Sequence, residues 1–535
     1  MKQLFCLMLS FLLLFCGCSA STAETTLVGS QVGAGNAIEQ EEKTSLNLSM
    51  RSAATLNPLL NEEESVDRIL KLVYEPFVAI DETGKPVPNI AESWYYTEES
   101  RVLNVKIKSG LTWHDGSPIT ADDVVFSINT LKKCRDTAVY AVCAQRIYGA
   151  EKTAEDTVAI TFFTPDSNNL YALSFPLISQ RYYGTDDVTT SEKNFAPLGN
   201  SIYAFESYTQ AKELRLTAAN NSFHETPKIQ TVLVSITSSQ DTDVFSFEQG
   251  MIDCLLADET VLGSVNLEEN SRSFSFTANY FDFLGFQFAN PVLSDLNVRK
   301  AIAYAIPRES ILEGVYLSNA VSAETPVNPD SWLNSIQEER YGFDLKTARE
   351  YLAAAGFTAV DGQTVQQRQT ENGTETLAFS ILVNEENTKR VQAARRIGES
   401  LNSIGFSITV DAVDYATYVQ RLEAGDFQMF LGGWELSFMP DFGYLFETGA
   451  SHNYGGFSSA TMDGLIAAYR VAIGEKAMTE AMAALQEAFL NELPYVGIAF
   501  RKSALFLSDE IGGTATPTEF HCFSGMEQWY FQSTQ

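Results

Sequence analysis

Between Leu377 and Gly433 the chain alternates short apolar runs with longer amphipathic ones, and this order constrains the fold more than any other feature. Leu377–Val383 is an apolar strand-length run. Thr388–Ile404 carries Val391, Ala394, Ile397 and Leu401 at helical spacing, and Gly405 suits the left-handed position that ends a helix. Phe406, Ile408 and Val410 then alternate with polar residues, as a strand does. Tyr415–Ala424 reads as a second helix with Asp414 at its N-cap, and Phe427–Gly433 as a third strand. Strands separated by helices of this length pair in parallel through crossovers, which places the chain in the α/β class. Ligands of such sheets bind beyond the carboxyl ends of the strands. That geometry nominates Trp434 and the loop Glu435–Glu447 (ELSFMPDFGYLFE), with Glu435 and Asp441 among its acids. Two bland roles stand beside these: Trp434 packing under the loop, and Asp441, after Pro440, capping a turn.

The chain is long enough, at 535 residues, for two or three domains. It opens with Lys2 ahead of an apolar run from Leu4 to Phe15. The run is shorter than the roughly 20 residues that span hydrocarbon, so it reads as an export signal over residues 1–17. Phe15-Cys16-Gly17-Cys18 resembles a bacterial lipobox, with Cys18 as the lipid attachment site; the alternative is a cleaved signal without lipid. Residues 18–45 are polar and aperiodic, as a flexible tether would be. A net charge of −32 argues against nucleic acid and anionic lipid surfaces as partners.

Cys134 and Cys143 stand close enough in sequence to pair in an oxidising exterior, and buried free thiols are an equal alternative. His114, His224, His452 and His521 are too scattered for a metal site, and no cofactor is expected. In "SGLTWHDGSPITADDVVFSI", residues 109–128, His114, Asp115 and Ser117 crowd together. Catalytic triads converge from separate loops, so this cluster reads as a turn, followed by a helix capped at Thr120 and preceded by a strand over 101–108.

That stretch resembles the family 5 extracellular solute-binding proteins, the receptors of peptide, oligopeptide and nickel ABC importers. "LNPLLNEEESVDRILKLVYEPFVAID", "NVRKAIAYAIPRESI" and "LPYVGIAFRKSALF" extend the resemblance from about residue 46 to the end. In "FAPLGNSIYAFESY", Asn200-Ser201-Ile202 departs from the family's usual pattern, and Phe223 replaces a tryptophan. The resemblance implies a two-lobed periplasmic-binding-protein-like fold with an inserted small domain and a ligand cleft between the lobes. Lobe I would comprise residues 46–84, 195–285 and 497–535, the small domain 85–194, and the other lobe 286–496.

The implied function is capture of a solute, a peptide in the first instance, by a monomer anchored outside the cell through lipid, and delivery to ABC permease subunits. A sugar, an opine-like conjugate or chelated nickel is the alternative ligand. A secreted hydrolase of peptides or glycosides is the rival class, although no nucleophile, zinc-protease or phosphate-loop motif occurs. In peptide-binding members an aspartate three residues after the Gly-Trp pair holds the α-ammonium, and Ser437 stands there instead. A hydroxyl supplies no charge for that bond, so either Glu435 or Asp441 replaces it or the ligand lacks a free amine. Tyr495 and Phe500 lie where the family places a ligand-facing aromatic, with core packing as the alternative. Asn57 and Asn290, each before a proline, either line the cleft or turn the chain.

Overall fold

A computed structural model describes residues 43–220, 223–258, 261–262 and 270–532. The export segment, Cys18 and all but the end of the tether lie outside the described residues. The crossover pattern folds as its periodicity predicts. Ala378–Asn384 pairs in parallel with Ser407–Val413 and with Met429–Glu435, joined through helices Thr388–Asn402 and Tyr415–Ala424. Val391, Ala394, Ile397 and Leu401 are all buried against this sheet. Gly405 takes φ 103°, and the Asp414 side chain accepts from the Thr417 amide at the helix start. The third strand runs two residues further than its apolar pattern, because Tyr280 and Trp434's neighbour Glu435 are register partners across an antiparallel ladder. The loop therefore begins at Leu436, and Trp434 and Glu435 belong to the strand.

The parallel unit extends into a seven-stranded sheet through two long antiparallel strands, Ser271–Phe286 and Tyr495–Ser508. Their ladder runs from Ser271↔Ser508 to Thr277↔Lys502 and resumes at Phe281↔Phe500. The bulge between leaves Ala278, Asn279 and Tyr280 out of that pairing, and bulges re-aim side chains at such points. Asn328 steadies it, its side-chain amide donating to the Asn279 side-chain oxygen at 3.0 Å and the Thr277 carbonyl at 3.3 Å. A four-stranded sheet carries Ser45–Met50 at its edge, parallel to Thr231–Ile236. A second four-stranded sheet, wholly antiparallel, is built from Ala91–Thr97, Val102–Ile107, Thr157–Phe162 and Ile147–Ala154.

The histidine-bearing stretch is a turn into the helix Ala121–Leu131. Asp115 accepts from the Ser117 amide and hydroxyl, whereas His114 Nε2–H donates to the Ser201 carbonyl at 2.8 Å. At the cap, the Asp123 carboxylate reaches back to the Thr120 amide (2.8 Å) and hydroxyl (2.9 Å). Cys134, Cys143, Cys254 and Cys522 are free thiols. Among the described residues no helix is long and apolar enough to cross a membrane.

Candidate functional site

A cavity of about 1030 Å³ lies where the carboxyl end of the strand Met429–Glu435 meets the edge strand Ser45–Met50, the bulge at Ala278–Tyr280 and the C-terminal segment around Thr518–Gly525. Of the eight side chains nominated from the sequence, Glu435 and Ser437 are on its wall. Glu435 is exposed and accepts from the Tyr280 hydroxyl at 2.8 Å. Ser437 is exposed too, its hydroxyl accepting from the Met439 amide (3.1 Å) as a turn residue does.

The remaining six are held elsewhere. Trp434 is half-buried, its ring edge-on to His452 at 4.8 Å and stacked on Tyr454 at 6.2 Å. Asp441 is clamped by Arg470 through contacts of 2.9 and 3.2 Å and accepts from the Gly443 amide. Arg470 also pairs with Glu447 at 2.9 Å, so one guanidinium ties the middle of the loop to its far end. Tyr495 is buried with its hydroxyl donating to the Leu445 carbonyl (2.6 Å), and Phe500 packs on Phe281 in the core. Asn57 is wholly buried, bonded to Tyr183 and Asn194. Asn290 accepts from the amides of Val292 and Leu293 in a turn.

Behind the strand end sits a charged knot. Asp282 is 1% exposed and accepts from Arg501 (2.7 and 3.0 Å), Arg390 (2.8 and 3.0 Å) and the Tyr316 hydroxyl (2.6 Å). Burial raises its pKa and the Arg390 charge opposes that rise. Two guanidinium groups at this distance favour the ionised form. The knot explains Gly433: a Cβ there would stand 2.1 Å from Arg390 and 2.2 Å from Asp282.

Several groups on the cavity wall carry no local sequence signal. Glu519 is half-buried; burial, and then the neighbouring Glu435 carboxylate, push its pKa up to about 7. His521 is pushed down to about 4 by burial and by Lys71, so it is neutral at physiological pH. Glu75 is buried, which works to raise its pKa, but the hydrogen bond and charge of His224 outweigh that and hold it below its ordinary value. The same bond raises His224. Nothing in "LVYEPFVAID" or "TPTEFHCFS" marks Glu75 or Glu519, since each is defined by partners far away in the chain.

The family model for bacterial extracellular solute-binding proteins, family 5, middle region, matches residues 85–456. The chain belongs to that family. Oligopeptide-binding protein AppA of Bacillus subtilis is 22% identical over 470 residues, with 85% of this chain and 86% of the relative covered. A nickel ABC transporter structure from Bacillus halodurans superposes with a TM-score of 0.77 at 18% identity, covering 91% of this chain and 100% of that one. The structure of Bacillus subtilis AppA in complex with a nonapeptide gives 0.59 at 21% identity, covering 91% and 99%. At these identities the structural likeness establishes the fold: a two-lobed α/β binding protein with its cleft between the lobes. Family 5 proteins are the extracellular, solute-binding components of ABC importers, and their role is binding rather than chemistry.

Proposed function

We propose that the cavity captures an oligopeptide-sized solute with a free amino group and delivers it to a membrane permease. The observation that carries this reading is the state of the acids around the missing aspartate. Asp441 is neutralised by Arg470, whereas Glu435 faces the cavity with Glu519 beside it and, among the described residues, a tyrosine hydroxyl as its hydrogen-bond partner. Two carboxylates close enough to repel gain from an ammonium placed between them. That supplies the charge-assisted bond that Ser437 lacks. A volume of about 1030 Å³ sits at the upper end of the roughly 300–1,000 Å³ range of small-molecule clefts, which favours several residues over a single amino acid.

The lobes would be 46–84 with 195–285 and 497–535 on one side and 286–496 on the other, with 85–194 as the inserted domain. Closure of the two lobes follows from the solute touching both. Binding favours the closed state only as far as the solute contacts both lobes. The chain would be held at the outer face of the membrane through lipid on Cys18, which the sequence Phe15-Cys16-Gly17-Cys18 supports.

Native mass spectrometry of the exported protein tests both parts. The expected spectrum holds a chain starting at Cys18 with an acyl adduct, and denaturation releases peptides of a few residues. A chain without lipid would remove the anchor, and release of a non-peptide solute would remove the ligand class.

A further inference from the structure

The cavity wall is built unequally. Among the described residues, the 286–496 lobe reaches it through Glu435–Phe438 and Tyr444, and the rest comes from the other lobe and the inserted domain. A solute therefore holds the 286–496 lobe by one loop. That loop is fixed from behind by the helix Ala460–Arg470, whose last residue clamps Asp441 (2.9 and 3.2 Å) and Glu447 (2.9 Å). Tyr469, the residue before it, is buried, and its hydroxyl meets Ser167 of the inserted domain. The turn Ser167–Asn169 packs against this same helix. Two further ties join the inserted domain, and the hairpin leading into it, to the 286–496 lobe. Trp332 Nε1–H donates to the hydroxyl of the buried Tyr171 at 2.9 Å, and the Trp332 backbone amide to the Thr83 carbonyl at 3.0 Å. Lys85 pairs with Glu475 at 2.6 Å and lies over the Trp332 ring, 5.5 Å from its centroid. None of the residues in these ties lines the cavity.

We propose that this seam is a latch: it draws the 286–496 lobe toward the inserted domain before a solute arrives, and the helix Ala460–Arg470 couples it to the solute-facing loop. The inference rests on the division into lobes and on capture by closure. A solute that grips one lobe by a single loop contributes little to closure by itself, since it favours the closed state only through its contacts there. A latch that raises the fraction of chains already closed raises the apparent affinity in proportion. The coupling path is short. Arg470 and Tyr469 are consecutive, so a shift of this helix moves the loop and the seam together through packed side chains and an ion pair. By linkage, a solute on the loop tightens the latch as much as the latch tightens the solute. The latch is also weak enough to reverse. Lys85 and Glu475 are 32% and 65% exposed, a setting in which an ion pair contributes little, and the Trp332–Tyr171 bond is a neutral one.

The test compares the intact protein with the double variant Trp332→Phe, Lys85→Gln by two readouts. One is the radius of gyration of the solute-free protein from small-angle X-ray scattering, and the other is equilibrium binding of a mixed tetrapeptide library with free ends. An unchanged circular dichroism spectrum verifies the fold. Glu475→Lys, which sets two ammonium groups against each other at an exposed site, replaces the double variant if that does not fold. The variant is expected to show a larger radius and an affinity lowered by about fivefold, the factor by which its closed fraction falls. An unchanged radius overturns the latch, because a residue that only supports the fold locally leaves the lobes where they are. A larger radius with unchanged affinity overturns the coupling to the loop. If the wild type binds no member of the library, peptide capture falls, and the radius of the solute-free variant decides the latch on its own.

Discussion

Replacing Glu435 by glutamine is expected to weaken binding of a free-amine tetrapeptide by about 10- to 100-fold, the equivalent of one charge-assisted hydrogen bond of roughly 1.5–3 kcal/mol. Glu435 projects from the last residue of its strand, opposite Tyr280, and nothing cationic is bonded to it among the described residues. The same variant should bind the N-acetylated peptide no more weakly than the wild type does. The pH dependence gives an independent check. Glu519 titrates near 7 because burial and the Glu435 charge disfavour its anion. An ammonium favours the doubly ionised pair, so affinity is expected to fall as pH drops from 8 to 6, with proton release on binding below pH 7. The empty protein behaves in the opposite sense. Its folded-state carboxyl lies above the unfolded value, so the stability this group contributes is present at low pH and is lost as pH rises through about 7. Affinity that is flat across this range in the wild type, or unchanged in E435Q, would sink the assignment.

Asp282→Ala is expected to destabilise the protein by about 3–5 kcal/mol, because it removes from beneath the strand end the buried carboxylate that Arg390 and Arg501 share. Asp282→Asn keeps the volume and part of the hydrogen bonding, and should cost less. The urea midpoint checks this, read with the slope m so that a change in cooperativity is not mistaken for stability. A loss under 1 kcal/mol for the alanine variant would mean the knot contributes little. Because Gly433 leaves no room between its backbone and this knot, the cluster also fixes where Trp434 and Glu435 emerge.

The parallel unit was legible because its signals are local. The apolar spacing of Val391, Ala394, Ile397 and Leu401, the helix-ending Gly405 and the N-cap Asp414 each act within a turn or two of chain. The end of the third strand was not, since what carries it to Glu435 is a partner strand 155 residues earlier. Asp441 follows the same logic. Pro440-Asp441 reads as a turn, and the Gly443 amide bond bears that out, but the arginine that claims its charge is 29 residues on and unmarked. The wall of the cavity was the least legible part. Glu75, His224 and Glu519 come from three segments with no shared motif, and only the packing of the sheets brings them to one surface.

Recognition of a free amine by the cavity is the central claim, and one comparison tests it most directly: equilibrium binding of a mixed tetrapeptide library with free amino ends against the same library N-acetylated. The account predicts that acetylation lowers affinity by at least about tenfold, as the loss of one charge-assisted bond requires. Equal affinity for the two libraries would contradict it, and would make Ser437 the mark of a receptor whose solute carries no amine.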